Sequence, residues 1–184
     1  MPLLHLVPCL ILQVRILPNS NRACAGCDCQ DDRIEVEIVA FGVGEECWGI
    51  EYKTIYGAIT NPATWTSLDE FLNRSWKHES GVQLRVASAM IDTGYQSKIV
   101  YDFCKPREVN RVFAIKGVAG VNRPVVSRPN RGNSAKVALF SLGVDSAKEL
   151  IYSRLKIEDS GAGYCHFPIG QGYDEEYFEQ LTAE

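Results

Sequence analysis

Gly26-Cys27-Asp28-Cys29-Gln30-Asp31-Asp32-Arg33-Ile34-Glu35-Val36-Glu37 reads as a short strand carrying a carboxylate, a tight polar turn and a second strand. An acid inside an otherwise apolar strand is costly to bury unless it is paired or ligates a cation. The first strand is bounded by Asn19-Ser20-Asn21 and Asp31-Asp32, both turn-like. From Arg33 the pattern alternates, with Ile34, Val36 and Ile38 on one face and Arg33, Glu35 and Glu37 on the other. That is the signature of a half-buried strand whose charged face meets water. Gly42 to Glu46 reads as a turn, and Cys47 to Tyr56 as a third strand with Trp48, Ile50 and Tyr52 on one face. Three strands joined by short turns predict an antiparallel meander.

Further along, Asn61-Pro62 punctuates the chain, and Ser67-Leu68-Asp69-Glu70 has the spacing of a capping box. Leu68, Phe71, Leu72 and Trp76 then follow at helical spacing. Leu84 to Ile91 is nearly continuous in apolar residues, as in a central strand, and stops at Asp92-Thr93-Gly94. A helix is expected over Ser97 to Lys105, stopped by Pro106, then a strand over Val112 to Val118. Gly120 to Ser134 reads as an extended or mobile loop. A strand over Lys136 to Leu142 follows, then a helix capped at Asp145 or a neighbour. A short strand, Tyr-Cys-His-Phe, lies between Gly161 and Pro168. Asp174 caps a last helix with Tyr177, Phe178 and Leu181 inward.

The expected fold is therefore α/β: a mixed sheet combining an antiparallel three-strand meander with parallel strands, flanked by helices. Residues 1–22 form a lead-in segment and residues 23–184 one domain. Leu, Ile and Val dominate the start, but no Lys or Arg precedes Arg15, which argues against a signal peptide. His5, Pro8, Gln13 and Arg15 interrupt that stretch too early for a membrane span.

Charge is uneven. The formal net charge is −4, yet Lys98 to Lys136 holds nine Lys or Arg against Asp102 and Glu108. Such a segment can face phosphates while the chain as a whole stays acidic. Seven cysteines, four of them (Cys9, Cys47, Cys104 and Cys165) scattered through apolar stretches, suggest reduced, buried thiols rather than a disulfide framework.

Asp28 and Asp92 are the first candidate site. If the first and fourth strands are neighbours, these two carboxylates meet, and hard oxygen ligands suit Mg²⁺ or Mn²⁺. A pair of such ions activates water and stabilises the leaving oxygen of a phosphodiester. The structural alternative makes Asp92 a turn residue and Asp28 an edge residue. Cys24-Ala-Gly-Cys27-Asp-Cys29 invites a zinc reading, but no second close pair of ligands follows, so core thiols are expected instead. In a strand Cys27 and Cys29 share a face and Cys24 points the other way. Lys116, Arg123, Arg128 and Arg131 are candidate phosphate contacts, against a solvated loop. Asp145 and His166 are auxiliary candidates, with a helix cap and a hydrogen-bonded structural histidine as their plainer readings. No Gly-x-x-x-x-Gly-Lys-Ser/Thr occurs, so no ATPase activity is expected of this chain.

The stretch from Gly26 to Glu37 is followed in order by Ile91-Asp92-Thr93-Gly94, the run Val112 to Gly117, the run Gly143 to Lys148, His166-Phe167-Pro168, and Tyr177 to Glu184. Together these resemble the nuclease domain of the lambda-type (GpA-type) terminase large subunit of tailed phages and prophages. The resemblance covers roughly Ala23 to Glu184. It implies a ribonuclease H-like fold and a Mg²⁺-dependent endonuclease that cuts concatemeric double-stranded DNA for genome packaging. It also implies a phage or prophage origin, action in the host cytoplasm, and the small terminase subunit and portal as partners. Asp28 and Asp92 match the family's first two catalytic acids. The family carries an ATPase domain before the nuclease, and a further acidic segment beyond the position of Glu184 is expected to supply a third acid. A truncated chain with an incomplete site is one expectation. A non-catalytic prophage remnant or DNA-binding module is the alternative.

Overall fold

The computed structural model describes residues 22–78 and 81–182. The lead-in segment expected over residues 1–22 lies outside them, apart from Arg22.

The opening stretch forms the expected meander. Strand β1 (Arg22–Cys29) turns through a Gln30 N–H to Arg33 carbonyl bond of 2.9 Å into β2 (Arg33–Phe41). A short 3-10 turn (Val43–Glu45) leads to β3 (Cys47–Tyr56). β1 pairs antiparallel with β2, and β2 with β3. The other edge of β1 is parallel to β5 (Gln83–Asp92), with Cys27 opposite Ile91. Strands β6 (Val112–Val118) and β7 (Leu139–Gly143) continue in parallel, and β8 (Cys165–His166) adds to β3. The order is β7-β6-β5-β1-β2-β3-β8, with a short β4 (Ser75–Lys77) on β5. Eight strands, mixed in direction and flanked by helices, make a ribonuclease H-like architecture.

Among the described residues four α-helices cover the two faces. Helix α1 (Pro62–Leu72) and α2 (Ser97–Cys104) pack Leu68, Phe71, Val100 and Phe103 onto Cys27, Cys29, Ile34 and Val36. Helix α3 (Val144–Leu155) and α4 (Glu175–Thr182) pack Ala147, Ile151, Tyr177 and Leu181 with Cys24, Val39, Met90 and Ile115. Period-two alternation thus sends Cys24 to one core and Cys27 and Cys29 to the other. All three thiols are buried, and burial pushes the Cys24 thiol up to about 12. Cys9 lies outside the described residues.

Several expectations are corrected. Helix α1 starts at Pro62, not at a capping box around Ser67. The Asn61 side chain accepts from the Ala63 N–H at 3.0 Å, and proline suits the first helical position. Trp76 lies in β4 rather than on the helix. The segment expected to be a loose loop runs along the edge of β7 instead. There Asn130 and Leu139 exchange backbone bonds of 2.8 and 3.0 Å, and Ser127 N–H reaches the Ser141 carbonyl at 2.9 Å. Strand β7 begins at Leu139 rather than Lys136, because Asn133 grips the Val137 backbone from both its amide atoms at 2.8 and 3.0 Å. Asp174 accepts from the Tyr177 N–H at 3.0 Å, but Phe178 is partly exposed rather than inward.

The largest correction concerns β2. Its charged face does not meet water: Glu35 and Glu37 are buried along with Ile34, Val36 and Ile38. Residues 170–182 cover that face. Tyr52 N–H donates to the Gln171 carbonyl at 2.8 Å, and Gly172, at φ +87°, leaves no room for a Cβ against the Tyr52 carbonyl. The Tyr177 and Tyr173 hydroxyls both donate to Glu37 Oε1, at 3.0 and 3.2 Å. Hydrogen bonding of this kind makes a buried carboxylate tolerable.

Candidate active site

Asp28 and Asp92 end up side by side because of strand register. Cys27 pairs with Ile91 in parallel strands, so the next residues, Asp28 and Asp92, fall on neighbouring strands about 4.8 Å apart and on the same face. That face is the one covered by α3 and α4, since Cys24, four residues before Asp28, and Met90, two before Asp92, share it. Each aspartate is only 6% exposed. Both sit where β1 and β5 run out, so the carboxylates border the loops beyond the strands.

Local contacts fix each acid. Gln30 Nε2 donates to Asp28 Oδ2 at 3.3 Å. The Gly94 N–H donates to Asp92 Oδ2 at 2.8 Å, and a Cβ on Gly94 would stand 2.7 Å from that oxygen. Thr93 ties the end of β5 to β6 through its N–H and its hydroxyl, both on the Ile115 carbonyl at 2.9 and 2.8 Å. Tyr95 hydroxyl donates to Asp31 at 2.7 Å and so joins the loop after β5 to the turn after β1.

Electrostatically the pair is under tension. Burial is the main cause that raises the Asp92 pKa above the ordinary carboxylate range. The negative charge of Asp28 adds to it, and backbone N–H bonds from Gly94 and Thr93 oppose it. A cation between two such carboxylates relieves both burial and repulsion. Two adjacent carboxylates at strand ends match the way Mg²⁺ is held, by one or two carboxylates with water and substrate phosphate completing the octahedron. Among the described residues no group of three His, Cys, Asp or Glu side chains converges as a complete protein cage.

Register also reveals a residue that alternation disguised. Glu35 lies directly opposite Asp28 on β2, buried on the same face, and Thr54 continues the row on β3. Its carboxylate is taken by Arg33 Nε at 2.8 Å rather than joining the pair. The apolar residues Tyr173, Tyr177 and Leu181 were the available signal, because they need a sheet face to cover.

The other candidates are dispersed. Lys116 is exposed near the end of β6, at the same end of the sheet as the acids. Ile115 pairs with Asp92, so Lys116 points to the opposite face. Arg123 lies beside Gly143 at that same end and donates from Nε to the Ala119 carbonyl at 2.8 Å. Arg128 is exposed on the β7 edge. Arg131 lies at the far end, ion-paired with Glu108 at 2.6 Å. Asp145 is the second residue of α3, and its carboxylate accepts from the Gly120 N–H at 2.8 Å, two strands away from β5. His166 sits on the outermost strand, bonded to Glu46 at 2.7 Å and stacked on Trp48 with ring centres 5.0 Å apart. It is not brought near the acids.

Comparison with known proteins points the same way as this geometry. A family model described as the endonuclease domain of terminase large subunit gpA matches residues 12–184. The large terminase subunit of Escherichia phage lambda is 35% identical over 166 residues, covering 87% of this chain and 26% of that protein. The large terminase subunit of Enterobacteria phage P21 is 30% identical over 166 residues, covering 87% of this chain and 25% of that protein. The chain thus spans about a quarter of the length of the curated relatives it matches. No solved structure matches it significantly.

Proposed function

The chain belongs to the family of terminase large subunit gpA endonuclease domains, and on that premise we propose that it cuts DNA by metal-dependent hydrolysis at Asp28 and Asp92. The observation that carries the proposal is the register that sets these two buried carboxylates next to each other at the ends of β1 and β5. Asp28 and Asp92 would hold Mg²⁺ or Mn²⁺. A bound ion of this kind polarises a phosphoryl oxygen and lowers the pKa of a bound water. The chain's own part is to keep both carboxylates adjacent and oriented. Gln30 and the Gly94 N–H do the orienting, and Thr93 and Tyr95 hold the loops around them.

The substrate in this reading is concatemeric double-stranded DNA, cut during genome packaging. The small terminase subunit and the portal are the partners the packaging role implies. Arg123, at the acid end of the sheet, is the better placed of the basic candidates to meet phosphates, whereas Lys116 shares that end but points to the opposite face. Arg131 is engaged with Glu108 at the other end. A phage or prophage gene expressed in the host cytoplasm fits the same role. Among the described residues no helix is long and apolar enough to cross a membrane.

The test is nicking of supercoiled plasmid in Mg²⁺ or Mn²⁺ by the chain, Asp28→Asn and Asp92→Asn. Losing a ligand that supports several kcal/mol of transition-state stabilisation predicts a drop of about 10²–10³-fold for each variant. Nicking that survives both substitutions would remove the site assignment. A chain that binds DNA without nicking it would favour the DNA-binding-module reading.

A further inference from the structure

A cavity of about 340 Å³ lies on the same face of the sheet as the acid pair, and one of its lining residues, Glu35, is the β2 register partner of Asp28. Its floor is Arg33 and Glu35 of β2 and Thr54 of β3, and its far side is Tyr56 with Glu176 and Gln180 of α4. The floor is in line with the acids. Asp92, Asp28, Glu35 and Thr54 occupy one row across four neighbouring strands, by the pairings Cys27 with Ile91, Asp28 with Glu35, and Glu35 with Thr54. From Asp28 the row reaches Glu35 in one strand spacing and Thr54 in two, about 5 and 10 Å. At 3.4 Å per step, that is one to three nucleotides along a strand from a phosphate held at Asp28.

The lining is selective. Glu35, Asp174 and Glu176 outnumber Arg33, so a phosphate is repelled and the wall offers mostly acceptors. Amino edges of adenine, cytosine and guanine supply the matching donors, whereas the exocyclic groups of thymine are acceptors and a methyl. Tyr56 is 78% exposed and offers a free aromatic face at the rim.

We propose that this cavity receives one nucleobase of the cut strand, one to three nucleotides from the cleaved phosphodiester, and prefers a base bearing an exocyclic amino group. Tyr56 stacks on the base, and Gln180 with the carboxylate wall reads its edge. The proposal rests on the endonuclease reading of Asp28 and Asp92, because that reading fixes where the phosphate lies.

Two measurements test it separately from that reading. Binding is followed by fluorescence anisotropy for the wild-type chain in Mg²⁺ with cleavage-resistant single-stranded phosphorothioate nonamers in which an abasic site is stepped along the sequence. One position should weaken binding about 5- to 100-fold, the range for losing one stacked base. Adding Tyr56→Ala should erase that position's effect. Sequencing the ends cut by the wild-type chain from a randomised duplex should show thymine depleted one to three nucleotides from the cut. Gln180→Ala should flatten that depletion. A flat abasic scan, or a scan unchanged by Tyr56→Ala, overturns the proposal. So does Tyr56-dependent binding of hexa-arginine that DNA does not compete away, which would assign the cavity to a cationic side chain. A position-specific, Tyr56-dependent scan in a protein that never cuts DNA upholds the base site and removes the nuclease reading. No binding to DNA by any variant removes both.

Discussion

Replacing Asp92 with Asn should stabilise the metal-free protein at neutral pH while abolishing its response to Mg²⁺. Asp92 is buried, and burial together with the charge of Asp28 raises its pKa. A carboxylate with a raised folded-state pKa binds protons more readily folded than unfolded. Its ionisation therefore destabilises the fold as pH climbs from the unfolded value, about 3.9, to the raised one, and the penalty is constant above. Two unit charges about 5 Å apart repel by roughly 3 kcal/mol at an effective dielectric of 20. Relaxation and partial solvation bring the recoverable part to about 1–2 kcal/mol, and for a domain of this size that is a rise of about 2–8 °C in Tm. Asn keeps an oxygen for the Gly94 N–H, so little is lost in exchange. The assay is thermal unfolding by circular dichroism in EDTA, from pH 4 to 8, for wild type, Asp28→Asn, Asp92→Asn and the double variant. The gain from Asp92→Asn should shrink towards pH 4. The double variant should gain less than the two single gains summed, because each single change already relieves the same repulsion. Mg²⁺ should raise the Tm of the wild type and leave that of Asp92→Asn unmoved. A neutral or destabilising Asp92→Asn at pH 8, or strict additivity, would show that the two acids are not electrostatically coupled.

Three further outcomes are expected. Gly94→Ala should weaken Mg²⁺ binding measured by calorimetry, because its Cβ would stand 2.7 Å from Asp92 Oδ2; unchanged affinity would mean that this oxygen has no fixed place. Tyr177→Phe should cost about 1–3 kcal/mol in denaturant unfolding, since it withdraws a hydroxyl donor from the buried Glu37 carboxylate; a cost under about 0.5 kcal/mol would mean that the bond does not hold α4 down. Cys47 and Cys165 pair in register on β3 and β8, at a Cα spacing that a disulfide accommodates. Diamide, itself reduced to the hydrazine, should therefore oxidise the two thiols to an intramolecular disulfide visible by peptide mass spectrometry. Capture of Cys47 by any other described cysteine would contradict the pairing.

The architecture was legible because its signals are local. Period-two alternation in β2, the apolar run of β5, and Asp174 ahead of α4 each declare an element within ten residues. The pairing of β1 with β5 is not local, so the sequence carries it only as a condition, and it alone makes Asp28 and Asp92 neighbours. Glu35 and Glu37 were misread for a physical reason. Alternation says that the two faces of a strand differ, not that one of them is wet, and here α4 arrives from nearly 140 residues further along to bury the polar face. The basic segment was misread in the other direction. Its composition suggests one DNA-facing loop, but pairing along β7 separates Arg123 at the acid end from Arg131 at the far end.

The position of the acid pair follows from a change of strand direction. β1 is antiparallel to β2 on one side and parallel to β5 on the other. The C-terminal ends of β1 and β5 therefore coincide, and their following chains leave on either side of a gap. The β1 turn goes towards β2 and β3, and the β5 loop goes towards α2 and β6. Crevices of this kind beyond parallel strand ends are where α/β sheets bind ligands. Here the antiparallel half contributes the cavity residues Glu35, Thr54 and Tyr56, and the parallel half contributes Thr93 and Gly94, which fix the end of β5 and the Asp92 carboxylate. An antiparallel β1–β5 pair would send Asp28 and Asp92 to opposite ends of the sheet. Adjacent acids and a base-sized cavity in one line are thus consequences of the same topological choice. Substitutions that slip β1 by one residue against β5 should lose both together, because a one-residue slip turns Asp28 to the α1–α2 face.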